Sequence, residues 1–252
     1  MNSIKETVRL VVNASAQYVT RVARSAEEVR AAQALRFEVF NLELNEGLAH
    51  SYVTGLDADP YDAVCDHLIV EHVPSASIVG TYRLQTGINA ANNLGYYSEQ
   101  EFSFAPFEPL RGEIVELGRA CVHKQHRNLS VLGLLWKGIA DYARERGGRY
   151  LIGCSSITSQ DPAVGASTYS EICRNHLVAT PWRTQPLPAY ECPLDQLAEE
   201  HTPVPKLLRA YLAVGAKICG PPALDRQFKT IDFLTFVDFE SLTPAARERF
   251  LG

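Results

Sequence analysis

The chain has 252 residues, of which 46% are hydrophobic, enough to bury the core of one large domain and too many for a disordered chain. Its formal net charge of -5 gives no overall attraction to polyanions, which argues against a general nucleic-acid binder and confines any basic site to a local patch. The first residues, MNSIKETVRLVVNAS, carry charges and no long apolar run, so neither a signal peptide nor a membrane span is expected and a cytosolic protein is.

In chain order, TVRLVV and QYVTRVA are β-branched and partly alternating, the pattern of half-buried strands. Ser25 opens S-A-E-E, which puts Glu28 at the capping-box position. Apolar residues at Val29, Ala32, Leu35, Val39 and Leu42 then predict a helix over about 26–45. A loop with Gly55, Asp57, Asp59, Pro60 and Asp62 leads into HLIVEH, the turn P-S-A-S and IVGTYRLQT, an antiparallel hairpin. EIVELGRACVH is the next strand, and the polar K-Q-H-R-N-L-S precedes VLGLLWKGIADYARERGG, a helix closed by glycine.

YLIGCSSI is apolar enough for a sheet interior, and the helix between it and EIVELGRACVH implies that these two strands are parallel. Beyond Pro162 follow a helix to about His176, an extended P-W-R-T-Q-P-L-P, the helix PKLLRAYLAVGA and the strand DFLTFVDF. With no repeat and no low-complexity linker, residues 1–252 read as a single α/β domain with a C-terminal elaboration from about 178.

Chemistry concentrates between Glu113 and Gly148. A polar loop before an amphipathic helix is either an ordinary connection or an anion site built from helix N-terminal N–H groups, with His126 and Arg127 at the turn. Residues 119–149 hold seven Lys or Arg against two acids, a patch that could dock an acidic carrier or a phosphate, or form a solvated helix face. Period-2 geometry puts Ile114 and Glu116 on one face and Val115, Leu117 and Arg119 on the other, unless a bulge near Gly118 re-aims the chain. A carboxylate in so apolar a strand suggests a general base or half of a structural ion pair.

The six cysteines form no C-x-x-C pair, the seven histidines (50, 67, 72, 123, 126, 176 and 201) lack metal-ligand spacing, and Ser155 and Ser156 have no G-x-S-x-G context. No metal site, cysteine nucleophile or serine nucleophile is therefore expected. Trp136, Tyr142 and Trp182 read as packing residues.

L-R-F-E-V-F at 35–40, D-A-D-P-Y-D at 57–62, IVGTYRL at 78–84 and E-L-G-R-A-C-V at 116–122 resemble the GNAT-like N-acyltransferases that use acyl carrier protein. That group includes the hemolysin-like ornithine N-acyltransferases, the N-acyl amino acid synthases and, more distantly, the acyl-homoserine-lactone synthases. Residues 205–239 resemble the ornithine branch.

The resemblance implies a GNAT-like (acyl-CoA N-acyltransferase) fold, a mixed twisted central sheet flanked by helices. It implies transfer of a long-chain acyl group, 3-hydroxylated or not, from acyl carrier protein or CoA to an amino-acid amine such as that of ornithine or glycine. No cofactor is bound permanently; the acyl-phosphopantetheine thioester is a substrate.

By the same resemblance Arg36, Phe40, Asp57, Asp59, Asp62 and Arg83 shape the acceptor side, and Glu116 and Arg119 form the catalytic centre. Val122, His126, Arg127 and Ser130 face the donor. Association with the inner membrane face would come through the product. The lactone synthases usually carry a Trp after the first helix, which N-L-E-L-N-E-G-L lacks, and Q-H-R-N-L-S departs from the loop of acetyl-CoA enzymes. A lactone-type synthase and a non-catalytic acyl-carrier-binding module are the alternatives.

Overall fold

The computed structural model describes residues 17–199 and 203–251. The strand expected at TVRLVV and the residue His201 lie outside them. The chain begins with strand β1 (Tyr18–Val22) and helix α1 (Ala26–Arg36), where Ser25 Oγ accepts from Glu28 N. The capping box is only half formed, because the Glu28 carboxylate turns to Arg24 N (2.6 Å) and to the Arg21 guanidinium (2.6 and 2.9 Å). The helix expected to run to about 45 stops being α-helical at Arg36 and widens into a π-helix over Phe37–Glu43, where Leu44 N reaches back to Val39 O. Such wide turns re-aim side chains and recur at functional sites.

A one-turn helix α2 (Ser51–Thr54) leads to the hairpin of β2 (Asp66–His72) and β3 (Ser77–Thr86). Sequence patterning offers no reading of the stretch that follows, which holds helix α3 (Gly87–Asn92) and 3-10 turns over Tyr97–Gln100 and Ala105–Glu113. Then come β4 (Ile114–Val122), α4 (Leu129–Glu145), β5 (Tyr150–Ile157) and α5 (Pro162–His176). Gly147, at φ 71°, closes α4 as expected. The stretch expected to be extended, 181–188, contains parts of two 3-10 turns, and the chain ends with α6 (Lys206–Val214), β6 (Lys217–Ile218), β7 (Ala223–Asp225), β8 (Thr230–Asp238) and α7 (Pro244–Leu251).

Among the described residues these eight strands form one sheet in the order β1-β2-β3-β4-β5-β8-β6, with β7 also on β8. Of these strand pairs only β4 and β5 run parallel, as the intervening helix predicts. One face of the sheet packs Ile114, Ile152, Leu234 and Phe236 against Tyr96, Phe102, Phe104 and Phe107. The other packs Val115, Leu117 and Leu151 against Val131, Leu135 and Ile139 of α4. Glu116 therefore shares the face of Ile114.

β4 and β5 pair at only three positions, ending at Glu116 opposite Ile152, and then part. The alternative left open near Gly118, a bulge, is present: Arg83 lies opposite Gly118 and Thr81 opposite Cys121, so Arg119 and Ala120 together face Tyr82. Arg119 takes a left-handed φ of 49°. Gly153 stands at the fork, where a Cβ would collide with the Leu117 carbonyl. We expect Gly153→Ala to force the strands apart and to cost about 1–3 kcal/mol in urea unfolding; an unchanged midpoint would show that this close approach is not needed.

Candidate active site

Where the strands part, a cavity of about 340 Å³ opens through the sheet. On the α4 side its wall is apolar and aromatic, from Tyr82, Trp136, Ile139, Leu151, Leu208 and Tyr211. The opposite face contributes carboxylates: Glu101, Asp225, Asp232 and, at the fork, Glu116. The cavity thus presents an apolar surface and an acidic surface on either side of one gap in the backbone.

Glu116 is 3% exposed. Its Oε2 accepts from Gln85 Nε2 (2.6 Å) and Tyr97 N (2.8 Å), and its Oε1 accepts from Ser98 N (2.8 Å). Burial pushes its carboxyl above the usual range, and these donors only partly offset that. The alternative of an ion pair with Arg83 or Arg119 is not what the chain builds, since both arginines have other partners. Glu116 Oε2 takes two hydrogen bonds and Oε1 one, and the Ser98 side chain also bonds the carboxylate.

Those partners form a buried network. Arg36, fully buried, donates through Nε to Asp57 Oδ1 (2.8 Å) and through Nη2 to Asp62 Oδ1 (2.8 Å). Arg83 Nη1 reaches Asp59 Oδ1 (2.6 Å) and Asp62 Oδ1 (3.3 Å), while Arg119 pairs with Asp57 through Nε (3.1 Å) and Nη2. Burial raises the Asp62 carboxyl, but Arg36 and Arg83 pull it below the usual range. Arg119 lies 4.9 Å over the Phe40 ring and 4.5 Å over Phe228.

The structure thus brings together all the acceptor-side residues named from the resemblance, with a difference in their placement. Phe40, Arg83, Glu116 and Arg119 line the cavity, whereas Arg36, Asp57, Asp59 and Asp62 stand behind them. Asp57, Asp59 and Asp62 are placed to hold the lining arginines, and Arg36 holds Asp57 and Asp62 from behind.

The donor-side residues gather at the start of α4, outside the cavity wall. His126 Nδ1 shares a hydrogen bond with Tyr18 OH (3.0 Å) and packs against His72 and His123. Arg127 is clamped on Glu43 (2.5 and 2.7 Å) and donates to Val122 O (3.0 Å), while Asn128 Oδ1 accepts from Ser130 N and Val131 N (both 3.0 Å). The basic patch of 119–149 is largely neutralised: Lys137 and Arg144 face Asp141, Arg146 faces Asp66, and Arg149 faces Asp238 and Glu240.

Sequence reasoning missed Glu101, Asp225 and Asp232. Asp232 carried the same signal as Glu116, an acid in an apolar strand, in T-I-D-F-L-T-F. Glu101 had none, because E-Q-E-F-S-F looks like an exposed turn. For the network, Asp57→Asn should leave buried Arg36 and Arg119 short of a charge and cost about 3–5 kcal/mol in chemical denaturation; a cost under about 1 kcal/mol would mean that Asp59 and Asp62 hold the site alone.

A family model for the acetyltransferase (GNAT) domain matches residues 35–137. The L-ornithine N(alpha)-acyltransferase of Agrobacterium fabrum is 32% identical over 238 residues, which cover 88% of this chain and 81% of that protein. The L-ornithine N(alpha)-acyltransferase of Rhodobacter capsulatus is 30% identical over 244 residues, 92% and 93% of the two chains. Among solved structures, FeeM, an N-acyl amino acid synthase from uncultured soil microbes, shares the fold with a TM-score of 0.52 at 14% identity, over 93% of this chain and 95% of that one. With relatives matched along most of both chains and a two-sided cavity at the fork of its sheet, the chain is an N-acyltransferase of the GNAT fold and belongs to the L-ornithine N(alpha)-acyltransferase family.

Proposed function

We propose that this N-acyltransferase moves a long-chain acyl group, 3-hydroxylated or not, from the phosphopantetheine thioester of acyl carrier protein to the α-amine of an amino acid, with ornithine as the favoured acceptor. The observation that carries this reading is the two-sided cavity: an apolar half suits an acyl chain, and a carboxylate half suits a cationic amine. The names of the relatives support ornithine.

A thioester is already activated, so the amine attacks it directly and no covalent enzyme intermediate is needed. Glu116 accepts the proton of the incoming ammonium, directly or through water. Backbone N–H groups at the fork of β4 and β5 stabilise the oxyanion until the thiolate leaves, and the thiolate takes up a proton. Arg83 and Arg119, held by the aspartates behind them, are the cations placed to orient the acceptor carboxylate.

The carrier docks near the start of α4, where Val122, His126, Arg127 and Ser130 meet the pantetheine arm and exposed Lys124 adds charge. In this reading the chain works as one domain in the cytosol, with its product drawing it to the membrane face. No helix among the described residues is long and apolar enough to cross a membrane.

Incubating the protein with acyl carrier protein thioesters and a mixture of amino acids should yield N-acylornithine by mass spectrometry; acylation of other amines only would overturn the acceptor. Glu116→Gln presents an N–H to one of the donors that Glu116 now accepts, costing about 1–3 kcal/mol. The rate per folded molecule should still fall by about 10²- to 10⁴-fold. In the wild type the rate should fall with acidification around a value above the usual carboxylate range, because burial raises the Glu116 carboxyl and the protonated form is no base. A normal single-turnover rate in folded Glu116→Gln would eliminate the base.

A further inference from the structure

The acidic end of the cavity holds more negative charge than deprotonation of one amine requires. Glu101, Asp225 and Asp232 are each 4% exposed and all line the cavity. Glu101, Asp232 and the Cys154 thiol each bring a donor atom within 4.8 Å of one another. Among the described residues no Lys, Arg or His is ion-paired with any of the three acids. Asp225 is occupied locally, since its Oδ1 accepts from Gln227 N (2.7 Å) and Phe228 N (3.1 Å). Asp232 Oδ1 is buried with no hydrogen-bond partner.

A second acceptor is idle in the same cavity, and it is neutral and on another strand. Gln85, 2% exposed and part of the cavity lining, commits its Nε2 to Glu116 (2.6 Å) and Gly95 O (3.2 Å), and its Oε1 is buried without a donor. Buried acceptors left this way cost stability, and a donor brought by a ligand or a water relieves that cost.

We propose that this acidic end is the subsite for the side-chain ammonium of a diamino acid acceptor, held by Glu101 and Asp232, so that the amine acylated is the one lying nearer Glu116. The inference rests on the preceding reading that the acceptor is an amino acid. An ammonium carries three N–H donors and one positive charge, which suits buried carboxylates that no described side chain ion-pairs. Burial first, and then the neighbouring acids, push the Glu101 carboxyl upward; burial and Asp225 push up that of Asp232 against hydrogen bonds with Ser156 and Glu101, so the empty subsite keeps a proton that an arriving cation displaces. A metal ion is the poorer occupant, because the Cys154 thiol donates toward Glu101 Oε2 (4.0 Å) and burial holds it protonated.

The test compares L-ornithine with L-norvaline, which keeps the carbon skeleton and lacks the terminal ammonium, using one acyl donor. The wild type should favour ornithine in kcat/KM by at least about 100-fold, as expected of a site with buried polar groups built for a missing donor. Asp232→Asn and Glu101→Gln should each draw that ratio toward one. Asp232→Asn should also match or exceed the wild-type thermal midpoint without ligand, since it removes a buried charge that has no ion-pair partner among the described residues.

Equal use of both amino acids by the wild type, or variants that lower both in proportion, would overturn the subsite and leave amino-acid acylation standing. Acylation of neither would overturn that broader reading and the subsite with it. A thermal shift with zinc chloride, absent with ornithine and abolished in Asp232→Asn, would assign the group to a metal and overturn the ammonium.

Discussion

The structure depends on the short reach of the β4–β5 pairing. β5 follows β8 through eight paired positions, from Tyr150 opposite Asp238 to Ile157 opposite Ile231, while β4 stays with β3 as far as Val122. Two strands so committed to outer neighbours can share only the few positions before the bulge at Arg119 and Ala120 turns β4 away. Gly153 lets the backbones approach closely at the fork before they diverge. The opening is therefore built into the register, and the cavity, the placement of Glu116 and the separation of apolar from acidic walls all follow from it.

What holds β4 in its turned position is electrostatic. Three arginines and three aspartates balance in formal charge, and they tie α1, the loop at 57–62, β3 and β4 into one body. Burying six charges is expensive, and well-packed apolar residues would serve stability as well or better. Each link, however, fixes a direction: Asp57 takes Arg36 on one side and Arg119 on the other, so the helix sets where the cavity's guanidinium sits. Phe40, carried inward on the π-helix, covers that guanidinium and narrows its freedom. Preorganised charge next to the reacting centre needs no rearrangement during the reaction.

Much of this frame was legible in the sequence because it rests on local signals. Alternation gave the β2–β3 hairpin, the amphipathic stripe and paired glycines gave α4, and the helix between two apolar strands gave the one parallel pair. The resemblance named the charged residues, and the fold brought them together. Their division into cavity lining and support was not readable, because it depends on which carboxylates lie behind the arginines in three dimensions. The π-helix was hidden for a similar reason: Val39 and Leu42 fit a continuing α-helical stripe in the sequence, whereas the wider turn leaves Leu42 62% exposed and puts Phe40 on the cavity. The acidic end escaped notice because Glu101 sits in a segment without periodicity, and Asp232 becomes its neighbour only when β8 pairs with β5.

In the proposed reaction the acyl thioester reaches the acceptor through the gap between β4 and β5. Hydrogen–deuterium exchange on the whole protein, with and without a non-transferable acyl-pantetheine analogue, tests it at the backbone. Slowed exchange at Leu117, Gly118, Gly153 and Cys154, together with the α4 and α6 segments that line the apolar half, is the predicted result. Protection confined to the protein surface, with exchange at those four residues unchanged, would contradict it.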